Sequence, residues 1–346
     1  MKTRLSVVAL CLFLVTGLAR AVDVSAQAAA DVSSSDLSGY IRGLSGADCI
    51  TVGSDTYALA TRYSTKPDAF TAAAWIYQGF SGLGLSTSYH DVSSYPTYAD
   101  DVVAEIPGLV SPERIYIVCA HYDSTSPDPD HAPGADDDAS GTAAVLELAK
   151  VLSSYSFKST IRFVAFSGEE QGLRGSYDYA RDAYNAGDDI RGVLNLDMIA
   201  YTGGTLEDID IMYQYDGGSV LGLAAQALAE SYRDNFVDYS GLDASRVELH
   251  ADDIGGSDHV SFRDRGYAAI MAIEDTANEI WGGSNPYYHT TNDVYANLDM
   301  DFATAVTRAA AATMADWAEP VPEPATLTLL ATGLLGAVGV LRRRGR

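Results

Sequence analysis

From about residue 113 onward the chain alternates between two kinds of segment. Strand-like apolar runs occur at Ile115–Ala120, Ile161–Phe166, Val193–Leu196, Ile209–Met212 and Ala268–Ile273. Helix-like segments fall between or after them, at Ala139–Leu152, Gly175–Ala186, Val220–Arg233 and Phe302–Trp317. Strands that alternate with helices imply an α/β fold, a three-layer α/β/α sandwich around a mostly parallel central sheet. Ligands in such folds bind outside the carboxyl ends of the strands. The earlier part, residues 35–110, mixes both patterns. Within it Ala72–Phe80 reads as an amphipathic helix that buries Trp75, Ile76 and Phe80 beside the sheet. Residues 22–34 are rich in Ala, Ser and Asp and read as a loose linker.

Five short segments matter, and four of them follow predicted strands or open a predicted helix. They are Ala120-His121-Tyr122-Asp123-Ser124, the run from Ala132 to Gly141 that contains Asp136-Asp137-Asp138, Ser167-Gly168-Glu169-Glu170-Gln171-Gly172, Asn195-Leu196-Asp197-Met198, and Tyr288-His289-Thr290-Thr291-Asn292-Asp293. Each alone is ordinary. A histidine at a strand end is commonly structural, three aspartates can cap a helix, and paired glutamates are common on solvated faces. Together they bring several carboxylates to one edge of one sheet. Carboxylates that close repel, and each needs either a raised pKa or a cation. Mixed imidazole and carboxylate donors suit zinc, with cobalt or manganese as alternatives.

The chain has 346 residues, 47% hydrophobic and 20% charged, so a folded core is expected and disorder is not. Its formal charge of −25 repels nucleic acid, which is excluded as a partner of the main body. Lys2 and Arg4 precede an apolar run, Leu5–Leu18, and small-x-small sites follow at Ala19-Arg20-Ala21 and Ala26-Gln27-Ala28. That order reads as a signal peptide over 1–28. At the other end Val321-Pro322-Glu323-Pro324 leads into a 17-residue apolar stretch, Ala325–Leu341, closed by Arg342, Arg343, Arg344 and Arg346. The stretch sits at the lower limit of about 17–25 residues for a spanning helix. Proline-rich motif, short span and arginine cluster in that order resemble the PEP-CTERM sorting tail of Gram-negative bacteria. The resemblance implies processing by an exosortase-type sorting enzyme. It also implies export, to the periplasm, the cell surface or the medium. Cys11 leaves with the signal peptide, so Cys49 and Cys119 remain, as a disulfide or as free thiols.

The combination of A-P-G-A-D-D-D-A-S-G, G-E-E-Q-G-L-R-G-S, N-L-D-M and H-T-T-N-D resembles metallopeptidase family 28, the secreted bacterial aminopeptidase group, from roughly residue 60 to 317. The resemblance implies a zinc exopeptidase domain over 29–317, a linker over 318–324 and a sorting segment over 325–346. It implies two zinc ions per chain, with Asp137 bridging them, His121 and Asp197 completing one site, and Glu170 and His289 the other. It makes Glu169 the general base, and gives Asp123 the far nitrogen of His121. Asp293 is expected to serve His289 in the same way. The peptide bond after Asp137 is expected to be cis. The implied substrates are peptides with a free N-terminus.

One departure stands out. Related secreted members carry a disulfide and an oxyanion-stabilising tyrosine ahead of Ser-Asp-His. Here the half-cystine positions are Asp252 and Gly256, and the tyrosine position is Ile254. Tyr287, Tyr288 or a backbone amide is left to serve as the oxyanion donor. Asp258 and His259 are expected to be structural. Three other functions stay open: a carboxypeptidase, a glutaminyl cyclase of the same fold, and an inactive surface or matrix protein. Glu207, Asp208, Glu274 and Asp275 weigh towards an amine-bearing substrate end.

Overall fold

The computed structural model describes residues 23–203, 208–251, 256–274 and 285–321. The N-terminal apolar run, the span Ala325–Leu341, Glu207, Asp252, Ile254 and Asp275 lie outside them. Among the described residues no helix is long and apolar enough to cross a membrane.

The chain opens with α1 (Val24–Asp31) and α2 (Ser34–Leu44), followed by a small hairpin of β1 (Ile50–Val52) and β2 (Asp55–Tyr57). Next come α3 (Pro67–Gly82), β3 (Ser86–His90), β4 (Asp101–Ile106), β5 (Ser111–His121), α4 (Ala139–Leu152) and β6 (Ser159–Phe166). Then follow α5 (Arg174–Ala186), β7 (Asp189–Leu196), β8 (Ile209–Tyr213), α6 (Val220–Tyr239) and β9 (Val247–His250). A short α7 (His259–Arg263), β10 (Ala269–Glu274) and α8 (Met300–Ala318) complete the fold. The eight-stranded sheet has the order β3-β4-β6-β5-β7-β10-β8-β9. Its centre, β6-β5-β7-β10, is parallel, and antiparallel pairings of β4 with β6 and of β8 with β10 flank it.

Alternation along β5 sets the layers. Ile115, Ile117 and Cys119 face the smaller core, which α5 and α7 cover with Tyr179, Ala180, Ala183 and Phe262. Val118 and Ala120 face the larger core, built from α1, α2, α3, α4, α6 and α8. Such a strand, buried on both faces, is nearly continuous in apolar residues. The helix α4 begins hard against the sheet. Asp138 caps it by accepting from Gly141 N at 2.8 Å, and a Cβ on Gly141 would meet Leu196 O at 2.1 Å. Only glycine fits that approach.

Two boundaries differ from the sequence reading. Residues 24–31 form a helix and not a linker. Asp23 caps it, Ala28 and Ala29 are buried, and it packs on α8. Alanine is the strongest helix former, so an Ala-rich segment with a capping Asp is helical when a neighbour covers one face. A signal-peptide boundary at 28 would fall inside this helix, whereas the earlier Ala19-Arg20-Ala21 site leaves it whole. At the other end, residues 318–321 are held on the body. Lys158 N donates to Ala318 O and Glu319 O, and Val321 N donates to Ser156 O. The chain therefore leaves this body beside the starting end of β6, away from the edge where β5 ends in His121. Cys49 is exposed and Cys119 buried, and both are free thiols.

Candidate metal centre

Three parallel strands end on the same edge. His121 is the last residue of β5, Asp197 follows β7 directly, and Glu169 and Glu170 lie in the turn after β6. Asp137 stands in the loop before α4, and its peptide bond to Asp138 is cis. His289 comes from the segment ahead of α8. Its φ of 53° lies in the left-handed region, as does that of Met198 at 54°. Side chains rarely adopt that conformation outside sites that over-determine it.

Asp137 sits between two groups of donors. Its Oδ1 lies 3.3 Å from His121 Nε2, which is 3.6 Å from Asp197 Oδ1. Its Oδ2 lies 3.2 Å from His289 Nε2, which is 3.0 Å from Glu170 Oε2. Each triad, His121-Asp137-Asp197 and Asp137-Glu170-His289, offers three ligand atoms mutually within 4.8 Å. The one residue common to both points a different oxygen at each histidine.

Electrostatics mark the same place. Burial pushes Glu170 up to about 8, and the neighbouring Asp137 adds to the rise. Burial also holds Glu169 well above the usual carboxylate range. Burial would raise Asp137, but hydrogen bonds from His121 and His289 bring it below its ordinary value. Burial would lower His289, but Asp137 and Glu170 carry it up to about 10. Glu170 Oε1 is buried and has no hydrogen-bond partner among the described residues. An unsatisfied buried carboxylate oxygen is costly unless a cation takes it. Oxygen and nitrogen donors in these two triads fit zinc.

The profile of peptidase family M28 matches residues 101–314. The chain belongs to peptidase family M28. A second profile, the PEP-CTERM protein-sorting motif, matches residues 320–344. A probable zinc metalloprotease of Pyrenophora tritici-repentis is 32% identical over 269 residues, covering 69% of this chain and 55% of that protein. The chain thus spans about half the length of the curated relatives it matches. Among solved structures, the Legionella pneumophila LapA aminopeptidase superposes with a TM-score of 0.67 at 22% identity, covering 85% of this chain and 74% of its own. A Porphyromonas gingivalis glutaminyl cyclase gives a TM-score of 0.64 at 16% identity, covering 83% and 99%. At such identities the likeness is one of fold.

In this M28 chain the supporting shell differs in detail from the sequence expectation. Asp123 lies 3.6 Å from His121 Nδ1 through Oδ1, while the backbone carbonyl of Asp123 is nearer, at 3.2 Å. The same carboxylate accepts from Glu169 N at 3.1 Å and from Glu170 N at 3.3 Å, and Ser64 Oγ donates to it at 3.0 Å. Asp123 thereby links His121 to the paired glutamates. Asp293 does not serve His289. Its two oxygens accept from Asp136 N at 2.9 Å and Asp137 N at 3.1 Å, so it holds the backbone of the shared aspartate. Glu274 is buried and accepts from Tyr201 N and Asn285 Nδ2, so it is spent inside the fold and is not offered to a substrate. Asp258 and His259 are buried. Tyr288 stacks on His289 with ring centroids 3.7 Å apart. Burial, reinforced by Asp137, Glu170, Asp197 and Glu169, raises its hydroxyl pKa. Tyr287 turns instead to Tyr201, edge to face.

Proposed function

We propose that this chain is an exported aminopeptidase that holds two zinc ions on Asp137, His121, Asp197, Glu170 and His289. The observation that carries this reading is the shared carboxylate, whose two oxygens face two separate histidine-carboxylate sets. When bound, zinc supplies Lewis-acid polarisation of a carbonyl and makes water acidic near neutral pH.

The chain's own residues do the rest. Glu169 is the general base. It stands beside the Glu170 ligand, where a carboxylate can take a proton from water and pass it to the departing amine. Asp123 fixes that glutamate by accepting from its backbone N–H. Tyr288, kept protonated, is the phenol placed to donate to a developing oxyanion. The nearby cations are already engaged, since Arg62 is fully buried and Arg174 lies over the Tyr95 ring and donates to its hydroxyl. The sorting motif supports export and processing at the C-terminus by an exosortase-type enzyme.

The test is hydrolysis of Leu-, Ala- and Arg-p-nitroanilide alongside N-acetylated and C-amidated peptides and a peptide beginning with Gln. Release of single N-terminal residues, abolished by N-acetylation and indifferent to C-amidation, supports the reading. Loss of activity on C-amidation would make it a carboxypeptidase. Pyroglutamate formation without residue release would make it a cyclase, and inertness towards all of them a non-enzyme.

A further inference from the structure

Arg62 has no exposed surface, yet it carries a charge and touches neither the substrate side of the centre nor a carboxylate through any of its four described hydrogen bonds. All four go to backbone carbonyls. Nε donates to Tyr122 O at 2.6 Å, Nη1 to Leu44 O at 2.7 Å and Pro133 O at 2.5 Å, and Nη2 to Gly134 O at 2.7 Å. Tyr122 stands between His121 and Asp123. Pro133 and Gly134 open the loop that reaches Asp137 three residues later. One guanidinium therefore joins the two segments that bring the first histidine and the shared aspartate to the centre. The backbone around it is built for this contact. Arg62 N donates to Ser124 Oγ, and Ser124 Oγ donates to Ala132 O, tying the same two segments a second time. Gly134 has φ +52°, and a Cβ there would approach Asp137 O to 2.3 Å and Arg62 Nη2 to 3.0 Å.

We infer that Arg62 is a positioning residue for the metal centre, setting the distance between the His121 strand end and the Asp137 loop before any cation arrives. The inference rests on the cluster being a zinc site. A buried charge is expensive unless its surroundings compensate it. Burial lowers the Arg62 pKa to about 10, against the pull of Asp293, Asp138, Asp123 and Asp137, so the group stays charged at neutral pH. Spending its donors on carbonyls leaves the carboxylate oxygens available for a cation. A planar fork reaches carbonyls in several directions at fixed spacing, whereas an ammonium is a point donor on a flexible stem. Lysine would keep the charge and lose the spacing.

The test compares wild type, Arg62→Lys and Arg62→Met in the full chain. Zinc affinity is read by chelator competition, thermal midpoints are taken with and without zinc, and kcat and KM are measured at saturating zinc. Supporting shells of this type are worth roughly 10- to 100-fold in metal affinity. That loss is expected in Arg62→Lys, with kcat reduced at saturating zinc and KM little changed. Lower midpoints in both states with wild-type zinc affinity and kcat would overturn the inference, since Arg62 would then only stabilise the fold. If neither variant folds, hydrogen exchange at the Arg62 Nε–H of the wild type decides. Protection already present without zinc supports positioning, and protection that appears only with zinc overturns it. A wild-type chain that binds no zinc would sink the zinc reading itself, and this inference with it.

Discussion

Among the described residues, two places gather histidine and carboxylate atoms closely enough to hold a metal ion, and they are built differently. At the carboxyl ends of β5, β6 and β7 the donors are held by backbone that other groups fix, and Glu170 Oε1 lacks a described partner. At the β8–β9 edge of the sheet Asp210, Glu248 and His250 also bring ligand atoms within 4.8 Å of one another. There His250 Nε2 already lies 2.9 Å from Asp210 Oδ1, and the Glu248 side chain is half exposed. The second group pairs a buried Asp210 with a part-exposed His250, and only Glu248 reaches well into water. Residue type does not separate the two clusters. A carboxylate shared by two histidines, a fixed backbone and an unmet acceptor do.

The variant that breaks this contrast most severely is Asp137→Asn. An amide cannot serve two cations as a carboxylate does, so zinc content should fall and activity should drop to near background, read by elemental analysis and p-nitroanilide hydrolysis. Two retained zinc ions with full activity would refute the shared-ligand assignment. Next is Glu169→Gln. It should keep its zinc and lose kcat by about 10²–10⁴-fold with little change in KM. Glu170→Gln should instead weaken zinc binding and recover partly in excess zinc. If the two variants behave the other way round, the roles of the neighbouring glutamates are exchanged. Tyr288→Phe removes the proposed oxyanion donor and should lower kcat by about 10²-fold at unchanged zinc content. An unaltered kcat would return that role to a backbone amide.

Smaller effects sharpen the other side of the comparison. His250→Ala should leave zinc stoichiometry and kcat unchanged, and a lost zinc ion would make the β8–β9 edge a true site. His90 tests a different histidine pair, made with Asp101 and Asp182. Burial would lower its pKa, but Asp101 at 2.9 Å and Asp182 at 3.3 Å raise it above its ordinary value. A histidine raised on folding contributes stability that is fully present below about 6.5 and lost as pH rises through its folded value. The stability gap between wild type and His90→Gln should therefore shrink as pH increases above that point, measured by urea denaturation at several pH values. A gap that widens would contradict the pairing.

The fold was legible because its central strands are apolar on both faces and the aspartate run before α4 carries a helix start signal, realised by Asp138. The antiparallel edges were less so, since β3 and β4 lie in the mixed N-terminal part, where short strands carry weak patterns. The helix at 24–31 was missed because its composition also suits a linker, and only the contact with α8 decides between them. The donors of the centre were legible from motifs that follow strands. The shell was not. Arg62 and Ser64 lie about 60 positions before the residues they hold, and no local pattern announces a contact of that range. Asp293 was visible as a carboxylate near His289, but its partners, the N–H groups of Asp136 and Asp137, appear only once the loop is folded.

The most direct measurement is anomalous scattering at the zinc edge from crystals of the zinc-loaded protein. The account predicts two peaks, one contacting Asp137, His121 and Asp197 and the other Asp137, Glu170 and His289, with none at His250. A single peak, or two peaks that do not share Asp137, would contradict it.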